Sequence, residues 1–417
     1  MKNRLNVKII SVLLSVTLLA VLLLSACGES GKYATQKNFI TIGCVCPLTG
    51  VLAEYGEGTL ETEEAAVEAI NEDGGLYIDT LQRKLKVRFV VADSKSTQEG
   101  AMEAATSLIK DENVDLVICS SGNMTILSTA QICEAEHVPF FAVGCENDTW
   151  LANGPFTCSF NFAPDNTSKV KALYDLWMEN DISSVGILTT SKTRSKAFAD
   201  CLSEYCMETD VYVDDPIGVN SEDRYIQRAV RKLDREATEA VICCMDTATF
   251  SRIWEEGSIK KLDLSMCILM TDPLFPQDIA SIERGVDIKE FYTLTSWDKK
   301  YPMKSSLTGE DGSVLGLWWE DRFLSSSSEL AGFKHTSVEI AVAAVKLAMA
   351  LDADTVISAA RSLNESTIMG VVDFDDQGSC VIPCSVLKWT FDTATVSWVK
   401  ELASHSQLTD VEFDDEE

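Results

Sequence analysis

From residue 40 onward, short continuous apolar runs alternate with longer segments whose apolar residues recur at helical spacing. The run at 40–47 predicts a buried strand. The segment at 58–71 predicts a helix, because its apolar residues lie on one face and its glutamates on the other. The same alternation continues with predicted strands at 86–92, 116–119 and 139–143 and predicted helices at 97–110 and 125–136.

The alternation then begins again. The predicted strands of this second run are 185–189, 211–213, 240–244 and 266–270, and its predicted helices are 195–208, 221–233 and 249–256. Two successive runs of strand–helix units predict an α/β protein with two lobes, each a mostly parallel sheet flanked by helices. Continuous apolar strands such as 240–244 are typical of sheets that are covered on both faces.

The pattern changes beyond residue 291. A polar stretch at 298–311 precedes two predicted helices, 335–350 and 354–363. The sequence at 371–398 is again β-like. The last residues, 406–417, are acidic and poor in apolar side chains, which is typical of a disordered tail.

The N-terminus has the pattern of an export signal. Three basic residues precede the apolar run at 9–24, and small residues lead to Cys27. The run is shorter than the ~20 residues that a membrane-spanning helix needs. Small residues directly before a cysteine resemble a bacterial lipobox. This resemblance implies cleavage before Cys27, lipid on its thiol and new N-terminus, and attachment to the outer face of the cell membrane through a polar tether at 28–38.

Length and charge narrow the class of protein. A chain of 417 residues is too long for one compact core, so two domains are expected. The formal net charge is −30, and no basic patch is present. Such a chain repels nucleic acid, which excludes nucleic acid as a partner.

The chain has 14 cysteines, of which the lipobox would use Cys27. An odd number remains, so at least one thiol is expected to be free or to pair between chains. No CxxC motif occurs, and the chain has only 3 histidines, so we expect no metal site. Cysteines in apolar runs are expected to be buried core residues rather than bridges. These are Cys119, Cys243, Cys244 and Cys267.

No catalytic or cofactor motif is present. The chain lacks the GxSxG turn of hydrolases, the phosphate-binding GxxxxGK[ST] loop, a GxGxxG after a strand and the HExxH zinc motif. We therefore expect a protein that is not an enzyme and needs no cofactor.

Several stretches resemble the type I periplasmic binding proteins of the branched-chain amino acid class. The family opens with an apolar strand, a Pro-Leu-Thr-Gly-like loop, Tyr-Gly and a helix that ends in Asn and Gly-Gly. This chain has each part, at 40–46, 47–50, 55–56 and 71–75. Near the end, 369–370 and 374–378 resemble the family's closing hairpin.

The resemblance covers roughly residues 39–400 and implies two lobes that close over a ligand by hinge motion. It also implies three passages of the chain between the lobes, near 156–159, 292–297 and 369–372. The predicted division is a signal peptide at 1–26, a tether at 27–38, lobe 1 at 39–157 plus 295–369, lobe 2 at 158–294 plus 370–405, and a tail at 406–417.

In such sheets a ligand lies beyond the carboxyl ends of the strands. The loop after the first strand carries Tyr55, whose ring is expected to form a wall of the pocket. After the strand at 115–119, Asn123 stands among small polar residues that lead into a helix. That arrangement suits a ligand carboxylate. The alternative for Tyr55 is an aromatic ring on the surface, and the alternative for the residues around Asn123 is simple helix capping.

The loop after the strand at 139–143 carries Gly144, Cys145 and Glu146. In the family, a backbone group and a threonine hydroxyl of this loop hold the amino acid. Here Cys145 and Glu146 take those positions, and a glutamate repels a carboxylate. Either the side chain of Glu146 points away from the cleft or the ligand carries extra positive charge.

In the second lobe the family often has an acidic residue after the strand that corresponds to 266–270, where it pairs with the ligand ammonium. Asp272 is expected to take that role, although it could instead cap the following helix. Asp246 follows the strand at 240–244 and adds a negative charge. With Glu146 these residues suggest a cationic or polyamino ligand. The alternative is that only Asp272 touches the ligand.

The resemblance therefore predicts the substrate-binding protein of an ABC importer, which binds an amino acid or related small polar solute and delivers it to permease subunits. The alternative is a sensory module of the same fold that reports ligand to a partner, since fold does not decide function.

Overall fold

The computed structural model describes residues 37–408 except 221, 256–261, 271–281, 283–289 and 324–326. Within this part the strands form two large sheets and one small hairpin. Helices cover both faces of each large sheet, which confirms the predicted α/β class with mostly parallel sheets.

The first sheet has seven strands in the order β15-β6-β5-β4-β1-β3-β2. Its strands are β1 (Phe39–Cys46), β2 (Leu76–Ile78), β3 (Arg83–Asp93), β4 (Leu116–Cys119), β5 (Phe140–Val143), β6 (Ser159–Ala163) and β15 (Ser379–Val381). All neighbours pair in parallel except β2 and β3. Because β1, β4 and β5 are adjacent and parallel, the loops after them lie side by side at one edge.

Helices from two parts of the chain cover the first sheet. These helices are α1 (Thr59–Glu72), α2 (Gln98–Lys110), α3 (Gly122–Glu136), α4 (Asn147–Asn153), α9 (Gly312–Phe323), α10 (Glu329–Ala348) and α11 (Ala353–Ala360). Apolar residues of α1 and α10 pack on one face of the sheet, and those of α2 and α3 pack on the other. The side chains of β1 alternate between these two cores, as the pleat requires.

Local signals explain where the early helices begin and end. Thr97 caps α2, because its hydroxyl accepts a hydrogen bond of 2.9 Å from the Gly100 N–H. After α1 the chain passes Gly75 with φ +97, and a Cβ there would lie 1.9 Å from the Leu85 oxygen. Only glycine fits this close approach, which is why the double glycine ends the helix.

The second sheet has eight strands in the order β17-β16-β12-β11-β10-β7-β8, and β9 also pairs with β7. Its strands are β7 (Ser184–Thr189), β8 (Tyr212–Val213), β9 (Ile217–Gly218), β10 (Ala240–Cys244), β11 (Met266–Met270), β12 (Glu290–Thr295), β16 (Ser385–Asp392) and β17 (Ser397–Ser404). The strands from β7 to β12 run parallel, and β16 and β17 add an antiparallel edge.

The second sheet carries α5 (Asn166–Glu179) and α6 (Lys192–Cys206) on one face and α7 (Asp223–Arg235) and α8 (Thr247–Glu255) on the other. A separate hairpin pairs β13 (Asn364–Thr367) with β14 (Gly370–Asp373).

The path of the chain corrects two predicted lobe boundaries. Strand β6 belongs to the first sheet, so the first lobe continues to residue 163 rather than 157. Strand β15 pairs in parallel with β6, and Ile382 packs in the first core, whereas Cys384 packs in the second. Residues 370–381 therefore lie with the first sheet. A strand of three residues has too little sequence pattern to reveal which sheet it joins.

Helix α10 runs through the first core, since every residue from Leu330 to Val345 is buried. Helix α10 therefore has no exposed polar face over these residues. Apolar periodicity predicted the later part of the helix, at 335–350, but not its first turns, which begin at Glu329. No helix among the described residues combines the length and apolarity that crossing a bilayer requires.

The 13 cysteines of the described residues are free thiols. Cys119, Cys243 and Cys267 are buried and Cys244 is half-buried, which confirms the prediction that they are core residues and not bridges. Cys27 lies outside the described residues.

Candidate ligand-binding site between the two sheets

The loops that follow β1, β4 and β5 meet at one edge of the first sheet, facing the second sheet. They carry five of the residues predicted from sequence to bind ligand: Tyr55, Asn123, Gly144, Cys145 and Glu146.

Tyr55 lies in a short 3-10 turn after β1 and is only 7% exposed. Its hydroxyl end lies against the start of α3, because a Cβ on Gly122 would be 3.1 Å from the Tyr55 oxygen. Its main-chain oxygen accepts a hydrogen bond of 2.5 Å from Lys334 Nζ. The ring therefore packs beneath the edge of the sheet, below the loops after β4 and β5.

The start of α3 carries two buried hydroxyl groups. Ser121 is the N-cap residue, but its side chain makes no capping hydrogen bond. Ser121 Oγ and Thr125 Oγ1 are buried and have no hydrogen-bond partner among the described residues. The first N–H groups of a helix also lack intrahelical partners. The geometry thus does not support simple side-chain capping here and leaves donors for an anion.

Asn123 joins two of the loops. Its Oδ1 accepts a hydrogen bond of 3.0 Å from the main-chain N–H of Glu146. The first turn of α3 and the loop after β5 are therefore held in one arrangement. The oxygen of Asn123 is used within the protein, which the sequence did not reveal.

Gly144 and Cys145 shape the loop through their main chains. Gly144 has φ +94, and a Cβ there would lie 2.6 Å from the ring of Phe333, so the position needs glycine. Cys145 is fully buried and packs in the core that contains α2 and α3. Its carbonyl accepts a hydrogen bond of 2.8 Å from Asn161 Nδ2. The thiol lies in this core and is 3.9 Å from the main-chain oxygen of Glu146.

Glu146 forms an ion pair with Lys169, which lies in the first turn of α5 in the second lobe. The Lys169 side chain is 15% exposed and the Glu146 side chain is 37% exposed. The sequence suggested either that the Glu146 side chain points away from the cleft or that the ligand carries extra positive charge. Neither interpretation included Lys169 as the partner of Glu146. A lysine in the first turn of a helix is itself a signal, because the helix dipole disfavours a cation there unless an anion is nearby.

The surroundings of Lys169 place it between the two sheets. Burial raises the pKa of the Cys244 thiol to about 12, and the Lys169 charge acts in the opposite direction. Burial likewise raises the pKa of Cys384 to about 11, again opposed by Lys169. Cys244 ends β10, and Cys384 precedes β16. Lys169 thus lies near the carboxyl edge of the second sheet.

Asp246 lies in the second lobe and is exposed. Its two carboxylate oxygens accept hydrogen bonds of 2.8 Å from the N–H and the hydroxyl of Thr249. It therefore caps α8, as a short acidic side chain commonly does. Asp272 lies outside the described residues.

Behind the edge of the first sheet lies a buried group of ionisable residues. Burial raises the pKa of Glu63 to about 8 and lowers the pKa of Lys334. A hydrogen bond with Cys44 lowers the pKa of the Cys46 thiol, and the Lys334 charge adds to that effect. These side chains are fully enclosed between β1, α1 and α10, so they support the site loops from behind rather than line them.

A groove of about 630 Å³ lies elsewhere on the first lobe and shares no residue with the predicted site. Glutamates of α1 line one side, and Lys86, Arg88 and Trp318 line another. Among the described residues, no group of three or more His, Cys, Asp or Glu side chains is arranged to hold a metal ion.

Known proteins share the family and the fold of this chain. The sequence model of the periplasmic binding protein family matches residues 40–393. The leucine-binding protein LivK from Thermotoga maritima has 16% identity and a TM-score of 0.64, covering 87% of this chain and 97% of that chain.

Two further solved structures have the same fold. An ABC transporter substrate-binding protein from Desulfitobacterium hafniense in complex with leucine has 14% identity and a TM-score of 0.66, covering 87% of this chain and 100% of that one. An ABC transporter solute-binding protein from R. palustris in complex with benzoate has 15% identity and a TM-score of 0.60, covering 88% and 96%. The matched family consists of solute-binding proteins and not enzymes, in agreement with the prediction from sequence.

Proposed function

This chain belongs to the periplasmic binding protein family, and we propose that it is the substrate-binding protein of an ABC importer, which closes its two lobes around an amino acid or a related small polar solute. One observation carries the proposal. Polar and charged groups from both lobes converge where the carboxyl ends of the parallel strands meet, and the Glu146–Lys169 ion pair joins the lobes there.

The first lobe offers a place for a carboxylate. The N-terminus of α3 is positive by its dipole, and Ser121 Oγ is buried there without a hydrogen-bond partner among the described residues. Leucine and benzoate, the ligands of two structural neighbours, share a carboxylate. This favours a ligand with an acidic group over one that is purely cationic.

The acidic residues give less support to a polyamino ligand than the sequence suggested. Lys169 neutralises Glu146, and Asp246 uses both of its oxygens to cap α8. Two of the three negative charges that motivated a cationic ligand are thus engaged within the protein. We therefore favour an amino acid with an uncharged side chain.

Export and lipid attachment complete the proposal. Cys27 would carry the lipid, and the polar tether after it would hold the two lobes near permease subunits at the outer face of the cell membrane. Treating cells with an inhibitor of lipoprotein signal cleavage tests this part. Accumulation of a larger precursor would support it, whereas an unchanged mature mass and a Cys27→Ser variant that stays membrane-bound would contradict it.

Thermal unfolding with a ligand panel tests the central part. The chain from residue 28 on, which retains every described residue, is unfolded and refolded to remove carried-over ligand. It is then heated with each common amino acid, benzoate, putrescine and small amides. A ligand at 1,000 times its Kd adds about 4 kcal/mol to the free energy of unfolding. A response to amino acids is expected, and a response to none of them would sink the amino-acid assignment.

A further inference from the structure

The groove of about 630 Å³ on the first lobe contains part of a strand edge that has no neighbouring strand among the described residues. We propose that this groove is a docking site for a partner protein, which adds an extended segment with basic side chains to β3 as a further strand. The groove shares no residue with the predicted ligand site. The proposal therefore does not rest on the proposed function.

Strand β3 is paired on one side along most of its length and on the other side only at its start. β1 pairs with residues 86–93, whereas β2 pairs only with residues 83–85. Just beyond β2, the side chain of Asn71 takes the place of a neighbouring strand. It donates a hydrogen bond of 2.9 Å to the main-chain oxygen of Val87 and accepts one of 2.8 Å from the Val87 N–H. Val87 therefore presents its main-chain groups to the outer edge.

Phe89 and Val91 continue this edge. Successive residues of a strand direct their main-chain groups to opposite neighbours, so Phe89 and Val91 direct theirs outward, as Val87 does. Within the described part of the chain, no group forms a hydrogen bond with these outward N–H and C=O groups. Phe89 also lines the groove. A row of unpaired N–H and C=O groups is a template for another strand, so the edge offers main-chain hydrogen bonds to an extended segment.

The basic side chains of β3 do not close this edge. Lys86 and Arg88 lie on the face opposite to Phe89, because side chains alternate along a strand. Arg88 reaches toward β1, where its Nε donates a hydrogen bond of 3.1 Å to the Thr41 hydroxyl and its guanidinium lies 5.8 Å from the centre of the Phe39 ring. The basic charges therefore flank the far face of an added strand and not the face toward α1.

The wall of the groove that α1 forms is acidic. Exposed carboxylates recur along this side of the helix at Glu61, Glu64, Glu68 and Glu72. Arg322 of α9 also lines the groove, so four carboxylates stand against one guanidinium on this side of β3. The wall thus has a net negative charge. A segment that lies between it and the edge of β3 is favoured when its side chains toward α1 are basic.

These features specify the partner segment. Every second side chain of an added strand faces α1, so lysine or arginine is needed at alternate positions rather than in a continuous run. The half-buried ring of Trp318 lines the same groove and provides a surface for the aliphatic part of such a side chain. A second copy of this chain fits less well. Antiparallel pairing of two β3 edges keeps both α1 helices on the same face of the joined sheet, where their glutamates repel each other.

Fluorescence anisotropy with a labelled synthetic peptide tests the site on the chain from residue 28 on. The peptide alternates lysine and threonine, and its control has the same sequence with N-methylated main-chain nitrogens. N-methylation keeps the charge and removes the N–H donors, so it should weaken affinity about tenfold or more. The double variant E64Q/E68Q should weaken affinity about 3- to 10-fold. E204Q/E208Q makes the same charge change at exposed positions of the second lobe and should leave affinity unchanged.

Two substitutions of Phe89 separate the main chain from the side chain. F89P removes the outward N–H, at a position where proline is tolerated because this N–H belongs to no ladder. F89A loses the same ring and keeps the N–H. Affinity for the peptide is expected to be about 3- to 10-fold weaker in F89P than in F89A. Circular dichroism shows whether both variants are folded, and the N-methylated peptide tests the same main-chain bonds without altering the protein.

Several outcomes would overturn the proposal. If the unmodified protein does not bind the lysine–threonine peptide, or binds its N-methylated form equally well, no strand is added at β3. Equal losses in E64Q/E68Q and E204Q/E208Q would reduce binding to the net charge of the chain, which is −30. Sedimentation of the protein alone tests the competing occupant. A dimer that F89P dissociates and F89A does not would assign the edge to a second copy of this chain.

Discussion

The ammonium of Lys334 in α10 donates a hydrogen bond of 2.5 Å to the main-chain oxygen of Tyr55, across 279 positions of sequence. Both residues are buried, so a late helix supports an early loop of the candidate site from behind. Helix α10 belongs to the later part of the chain that returns to the first lobe. Through Lys334 it helps to fix the position of the Tyr55 loop in the candidate site.

Replacing Lys334 with alanine should therefore destabilise the protein. The variant loses the bond to Tyr55 and leaves a cavity in the core, which together should lower the free energy of unfolding by about 3 kcal/mol. Urea unfolding measures the change. Lys346→Ala, an exposed position on the same helix, is the control and should change stability by about 0.5 kcal/mol or less. Equal stability of the two variants would show that the buried ammonium contributes nothing net.

Stability should depend on pH through Glu63. Burial raises the pKa of this carboxyl from 4.5 to about 8 in the folded protein. The folded state therefore binds more protons than the unfolded state between these values, and its stabilisation is full below pH 4.5 and is lost as pH rises to about 8. The loss is on the order of 5 kcal/mol for a shift of this size.

Urea unfolding of the unmodified protein and of E63Q at pH 5 and pH 8.5 isolates this effect. Glu339, whose pKa burial raises to about 7, and His335, whose pKa burial lowers to about 4, also titrate in this range. Both remain in E63Q, so the difference between the two proteins reports Glu63. If the difference in free energy of unfolding between E63Q and the unmodified protein does not grow as pH rises, Glu63 is not a protonated buried carboxyl.

Asp246 should matter to stability and not to ligand affinity. Its oxygens bond the N–H and hydroxyl of Thr249, so Asp246→Ala removes a helix cap and should cost about 1 kcal/mol. Asp246→Asn retains a capping oxygen and should recover most of that loss. Titration of either variant with the ligand should give the affinity of the unmodified protein. A change of tenfold or more would place Asp246 in the ligand site after all.

The hydroxyl of Ser305 should be important for the segment before α9. Ser305 Oγ lies 2.7 Å from His335 Nε2 and accepts hydrogen bonds from the N–H groups of Leu307 and Thr308. Ser305→Ala removes the hydrogen-bond partner of the buried His335 ring and of two partly buried N–H groups and should cost about 2 kcal/mol.

Urea unfolding measures the effect of Ser305→Ala, and Ser313→Ala, in the first turn of α9, is the control. Ser313 is exposed, and its hydroxyl donates a hydrogen bond of 2.6 Å to Asp311, so loss of this hydroxyl should cost about 0.5 kcal/mol or less. If Ser305→Ala lowers the free energy of unfolding no more than Ser313→Ala does, the buried hydroxyl has no structural role.

Sequence reasoning located the loops of the candidate site but not the contacts within them. The carboxyl ends of parallel strands are visible as the ends of apolar runs, so Tyr55, Asn123 and Glu146 could be grouped in advance. Orientation was not visible. Whether Cys145 points into the core, or whether Asn123 binds the next loop rather than a ligand, depends on backbone angles and on distant neighbours.

The sequence by itself determined the fold class and the order of strands and helices. Apolar periodicity is a local property, and each run of strand–helix units in this chain can bury its apolar faces in essentially one way. The double glycine after α1 and the cap at Thr97 likewise act through their immediate neighbours, so their effects could be predicted from a few residues of sequence.

Only the tertiary structure decided which distant residues meet. The pairing of β15 with β6, the burial of Lys334 beneath Tyr55 and the ion pair of Glu146 with Lys169 all join residues that no local pattern connects. Each arises because packing of the whole chain brings charges or strand edges together, and the cost of leaving a buried charge or backbone group unpaired then selects the partner.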